Sequence, residues 1–150
     1  MKDTQQLLRH QLASLAYRTN KALHGAPAGF EAFELGYGVR TPHALLRHMT
    51  GLLSYTIRLL EEQPDSPLDD QPWAQECQRF TSVLATLDQV LQQRTNLALG
   101  EAQLLLQGPL SDAMAHAGQL ALLRRAAGAP ISPENFTRAD IHVRHLQPED

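Results

Sequence analysis

Lysine is nearly missing from this chain, cysteine occurs once, and no apolar run approaches the length of a membrane span. Each shortage closes off a class of function. Lys2 and Lys21 are the only lysines, the other basic residues are scattered arginines and the net charge is −3. With no basic cluster interleaved with aromatics, a nucleic-acid surface is excluded. A lone Cys77 rules out a disulfide framework and a CxxC motif, so a cytoplasmic location is expected. The opening MKDTQQLLRHQLASLAYRT is broken by polar residues at helical spacing, which is neither a signal peptide nor a transmembrane segment, and no membrane association is expected. No period-two alternation of useful length and no repeat of 20–50 residues occurs, so sheets and solenoids are set aside. Ser54, Ser82 and Ser111 lack a nucleophile-elbow context. The Gly36-Tyr37-Gly38 piece lacks the Gly-Lys-Ser/Thr ending and the preceding strand of a phosphate loop.

What remains is helical patterning. At 150 residues, 43% of them hydrophobic, the chain is long enough for one domain with a core of its own. From Asp3 to about Leu23, apolar residues recur at Leu7, Leu8, Leu12, Leu15, Ala16, Ala22 and Leu23, a 3.6-residue period. Residues 25–40 form a loop rich in Gly, Pro and aromatics. Thr41-Pro42 starts a second helix, with Thr as N-cap and Pro in the first turn. It runs to about Glu62 with an apolar arc of Leu45, Leu46, Met49, Leu52, Leu53 and Leu60, while Arg47, Ser54 and Arg58 mark the wet side. Residues 63–71 hold two prolines and three aspartates and can only connect. A third helix is expected from about Pro72 to Leu97, burying Phe80, Val83, Leu84, Leu87, Val90 and Leu91, with a short extra turn over 100–107. The fourth spans Gly108 to Gly128, opened by Pro109 and closed by Gly128 before Pro130. After Pro130 periodicity stops, so an irregular tail wrapped over the bundle surface is expected. Four amphipathic helices predict an all-α four-helix bundle as a single domain over 1–150.

The chemistry-bearing residues are few. Asp112 and His116 are one turn apart on the fourth helix, on a stripe continued by Leu120, Leu123 and Ala127 that should pack inward. His48 sits at the edge of the second helix's apolar arc, where it would face a cleft between helices. Two histidines and a carboxylate from two helices make a three-ligand site with open positions, suited to Zn²⁺, Ni²⁺ or Fe²⁺. The same residues also fit plainer roles: Asp112 as an acid at a helix start, His48 as a hydrogen-bonded histidine at the core edge. His142 and His145 are exposed tail residues, and Cys77, on the buried stripe of the third helix, is a small core residue rather than a nucleophile. No catalytic residue is identified.

The stretches TPHALLRHMTGLLSYTIRLL and SDAMAHAGQLALLRRAAGAPISPENFTRADI resemble the DinB/YfiT superfamily of metal-dependent proteins. The likeness covers the chain from about residue 40 onward, and His116 to Leu120 is its most specific part. It implies a four-helix bundle of up-down-down-up topology, a homodimer, and a divalent metal ion held by one histidine of helix two and an HxxxH pair of helix four. By position His48 and His116 match two of these ligands. Asp112 stands where the first histidine of the pair is expected, a departure that would give a His₂Asp site. Activities in the superfamily include transfer of low-molecular-weight thiols, which implies a small electrophilic substrate here, with Tyr55 and Gln119 placed to orient it. Two hypotheses follow. One is a metal-dependent, thiol-transferase-like enzyme using His48, Asp112 and His116. The other is a metal-free, non-catalytic bundle that binds a small ligand or a protein partner.

Overall fold

The computed structural model describes residues 2–148, and every regular element among them is helical. The long helices are α1 (Lys2–Leu23), α2 (Pro42–Glu61), α3 (Trp73–Gln93) and α5 (Ser111–Ala126), with a short α4 (Leu99–Leu105) between the last two. Their ends follow local chemistry. Thr41 Oγ1 accepts from the Ala44 N–H at 3.2 Å, with Pro42 in the first turn of α2. At the other end of the chain Gly128 takes φ +83°, its N–H bonds the Arg125 carbonyl and the Ala129 N–H bonds that of Arg124. This is a Schellman closure, which needs the left-handed residue that glycine supplies without strain.

One junction differs from expectation. The helix does not open at Gly108-Pro109. A wide turn over Leu106–Leu110 carries α4 into α5, with Gly108 bent to φ −92°, ψ −106° and Pro109 inside the turn. Proline cannot continue the backbone ladder, so the chain kinks there and regular helix resumes at Ser111. The kink buries Pro109 and Leu110. The third helix also stops early, at Gln93, although Leu97 beyond it is fully buried.

In the bundle, α1 packs against α3 and α5, and α2 packs against the same two, leaving α1 and α2 on a diagonal. The centre is filled by Leu12, Leu15, Leu46, Met49, Leu53, Phe80, Leu84 and Leu91, all essentially inaccessible, each worth about 1.5–3 kcal/mol of burial. Leu7, expected on the inner stripe of α1, is 72% exposed, whereas Leu8 is buried. Neighbouring residues lie about 100° apart around a helix, and here Leu8 falls on the inner side and Leu7 beyond its edge.

Specific contacts pin the helix ends. The His43 and Trp73 rings meet edge to face at 5.7 Å, start of α2 against start of α3. Arg94, just after α3, donates to the Leu60 carbonyl at 2.7 Å, end against end. Gln5 near the start of α1 bonds the Leu91 and Gln92 carbonyls at the end of α3. Arg124, 6% exposed, donates to the carbonyls of Ala22 and His24 (both 2.9 Å) and of Ala129 (2.8 Å), tying the ends of α1 and α5. Periodicity did not reveal two acids on the inner side of α3. Fully buried Glu76 is clasped by Arg79, and Asp88 by Arg9 at 2.6 and 3.0 Å, so each charge carries its partner inward.

The tail is irregular, as expected, and lies along α1. Glu134 accepts from Tyr17 and Lys21, the Arg18 guanidinium stacks 3.8 Å over the Phe136 ring, and Leu146 is buried. Glu149 and Asp150 lie outside the described residues. No helix among the described residues is long and apolar enough to cross a membrane.

Candidate metal centre

Because α2 packs on α5, the edge of its apolar arc meets the first two turns of α5. There the structure brings together the three residues singled out from the sequence. His48, Asp112 and His116 each offer a ligand atom, and these atoms all lie within 4.8 Å of one another. His116 Nε2 is 3.1 Å from Asp112 Oδ1, and His48 Nε2 is 3.8 Å from Asp112 Oδ2. The two imidazoles meet edge to face, with centroids 4.7 Å apart. Donor atoms about 2.0–2.2 Å from a tetrahedral ion stand roughly 3.4 Å from each other, and the two measured separations bracket that value.

The inward stripe holds only in part. His116 is 8% exposed, as are its continuations Leu120 and Leu123 or less, but the Asp112 side chain is 49% exposed. Each four-residue step overshoots a helical turn by about 40°. Two steps back from buried Leu120 therefore carry Asp112 round to the rim. Asp112 lies in the first turn of α5, where an acid at a helix start is expected, and both its carboxylate oxygens stand near imidazoles.

Electrostatics favours ligation. Burial, with help from the charges of Arg40 and His116, holds the His48 imidazole below its ordinary range against the opposing pull of Asp112. A neutral imidazole is the ligating form. Gln119 Oε1 lies 3.0 Å from His116 Nδ1. A carboxamide oxygen only accepts, so Nδ1 carries a proton, and in the neutral ring Nε2 keeps its lone pair. In that form Nε2 faces a carboxylate oxygen at 3.1 Å, and the two would be acceptors in contact. Such a contact needs a proton or a cation between them.

The remaining candidates sort clearly. Gln119 reaches His116 itself, so its role here is to hold a ligand. Tyr55 is 45% exposed and, seven residues beyond His48 on α2, is displaced by about 10 Å along the axis. No contact among the described residues joins it to the cluster. His142 Nδ1 accepts from its neighbour Arg144's N–H, and the His142 and His145 rings are 6.4 Å apart. Cys77 has its thiol pushed up to about 11 by burial and by Glu76, which suits a core residue and not a nucleophile.

Sequence reasoning missed the surroundings of His48. Arg40, Arg47 and Arg58 line an open cavity of about 630 Å³ that has His48 in its wall. Periodicity puts Arg47 and Arg58 on the wet side of the helix. The signal was in the spacing, since residues 44, 47, 48, 51 and 58 share one face of α2. The opposite wall comes from the 62–72 connection, whose position no periodicity encodes. Compared with models of protein families, with curated proteins and with solved structures, the chain matches nothing.

Proposed function

We propose that the chain is a DinB/YfiT-like bundle in which His48, Asp112 and His116 hold a divalent metal ion, Zn²⁺, Ni²⁺ or Fe²⁺, in the service of a small-molecule reaction. The observation that carries this is the contact between His116 Nε2 and Asp112 Oδ1 at 3.1 Å, with His48 completing the triangle. An up-down-down-up order is supported by the end contacts. α2 and α3 meet start to start and end to end, α1 meets α3 start to end, and α1 meets α5 end to end.

The reaction class proposed is transfer of a low-molecular-weight thiol to an electrophilic small molecule. A divalent ion with open positions lowers the pKa of a thiol that reaches it, supplying a thiolate at neutral pH. The chain's own part is to hold the ion from two helices, to fix the His116 ring through Gln119, and to leave Asp112 at the solvent edge where a ligand can approach. A cytoplasmic homodimer belongs to the same proposal. Exposed Leu7, Leu99, Leu104 and Leu122 offer apolar surface for a second copy.

The test is metal content by mass spectrometry on protein purified without a histidine tag, with His48→Ala and Asp112→Ala alongside. About one equivalent of Zn, Ni or Fe, lost in both variants, is expected. Wild type that stays empty and takes up no added metal at micromolar levels sinks the enzyme reading. The second reading, a metal-free bundle that binds a ligand or partner, is favoured by one feature: a proton on His116 Nε2 would satisfy Asp112 Oδ1 equally at 3.1 Å.

A further inference from the structure

We infer that the cavity beside His48 binds the oxyanion of a small organic molecule, a carboxylate or a phosphate, through Arg40 and Arg47. The inference rests on the metal-centre reading only for the direction of the ligand, whose reactive end would point to the His48 corner.

Three arginines line this cavity, and among the described residues Asp70 is the sole acid that does so. The arginines are not equivalent. Arg58 is occupied, with Asp65 at 2.8 Å and the Ser66 carbonyl at 3.5 Å. Arg47 is half committed. Its Nη2 donates to the Leu68 carbonyl at 2.5 Å, which anchors the guanidinium across the cavity. Its Nε is buried without a hydrogen-bond partner, and the nearest acid, Asp70 at 3.4 Å, has a side chain 95% exposed. An ion pair with so exposed a partner contributes little and exchanges readily for a better acceptor. Arg40 makes no ion pair among the described residues, yet its charge is felt at His48. One buried guanidinium donor, Arg47 Nε, thus stands in the cavity wall without a partner, and the exposed Arg40 guanidinium stands beside it outside any ion pair among the described residues.

A guanidinium presents its donors in a planar fork that matches carboxylate and phosphate oxygens, and such charge-assisted bonds are the strong ones. The rest of the wall suits a carbon skeleton, since Leu52 on α2 and Pro67 and Leu68 of the connection also line it. Gly51 adds no side chain to that wall. The nearest atom to a Cβ at this position would be the Leu68 side chain at 3.9 Å. The cavity's size falls in the range used for small-molecule ligands. Because His48 belongs to both the cavity and the metal cluster, a ligand anchored at Arg47 lies against the corner where its reacting group would be used.

The experiment is a ¹H–¹⁵N NMR titration of the full chain at low ionic strength, with succinate, inorganic phosphate and neutral succinamide as probes. Either anion is expected to shift amides of residues 40–52 and 66–70, and succinamide to leave them unmoved. Arg47→Gln and Arg40→Gln should each weaken anion binding by about tenfold or more, whereas Asp112→Ala, which empties the metal centre, should change it by less than about twofold. Tighter binding of succinate assigns a carboxylate ligand, and tighter binding of phosphate a phosphorylated one. The inference is overturned if neither anion shifts these amides at about 20 mM, or if Arg47→Gln binds as well as wild type. It is equally overturned if Asp112→Ala alone abolishes binding, since the anion would then be a metal ligand. An empty metal centre with intact anion binding removes the proposed chemistry and leaves this site standing.

Discussion

Gln119 Oε1 and His116 Nδ1 stand 3.0 Å apart, one turn of helix from each other, and this contact decides which nitrogen of His116 faces the cluster. Residues three apart on a helix are side by side, so α5 carries the ligand and the group that orients it. Replacing the amide with Gln119→Leu should leave the fold intact, because residue 119 is exposed. Metal affinity should fall roughly 10–100-fold. Competition against a chromophoric chelator reads this directly, and unchanged affinity would make the contact incidental.

Asp112 occupies the rim of the same cluster, where an imidazole of similar reach can be accommodated. Asp112→His should keep about one equivalent of metal while Asp112→Ala loses it. Metal analysis of the two variants side by side checks this. If Asp112→His binds none, the carboxylate is needed for its charge and not only as a donor.

Arg124 is the most heavily used buried donor in the bundle, holding carbonyls at the ends of both α1 and α5. Arg124→Met strips the buried Ala22 carbonyl and the part-buried His24 and Ala129 carbonyls of this partner and should cost about 3 kcal/mol of unfolding free energy. Its exposed neighbour offers a control: Arg125→Met should stay within about 0.5 kcal/mol. Urea denaturation followed by circular dichroism measures both.

Cys77 gives a prediction in pH. Its thiol is pushed up to about 11, chiefly by burial and then by the neighbouring Glu76 carboxylate. Raising a thiol's pKa removes thiolate at any pH below it. At pH 8 the folded chain should therefore be alkylated by iodoacetamide about a hundredfold more slowly than an ordinary thiol. The rate should go on rising about tenfold per pH unit beyond 9, where an exposed cysteine levels off. Mass spectrometry of the labelled chain follows it, and unfolding in urea should abolish the protection.

Much of the bundle was legible in the residues because local rules act alone there. Thr41-Pro42 and Gly128 end helices through bonds made within a few residues of themselves, and the Leu45-Leu46-Met49-Leu53 arc needs only helical periodicity. Where two local rules compete, the sequence misled. Gly108-Pro109 reads as a helix start, but α4 runs into it from behind and the pair becomes a kink. Buried Glu76 and Asp88 could not be read at all, since an acid on an inner stripe is tolerated only if an arginine arrives to meet it. For Asp88 that arginine is Arg9, 79 residues away.

By itself, then, the sequence determined the helical class, most of the helix ends, and the helical register that puts Asp112 one turn from His116. All three follow from local patterning and backbone geometry. Tertiary structure decided what stands opposite that pair. Packing of α2 on α5 brings His48 to the same corner, and the fold-back of the 62–72 connection sets Leu68 and Asp70 against Arg47 to make a cavity. Such neighbours are chosen by burial of apolar surface summed over the whole core, a quantity that no single stretch of the chain contains.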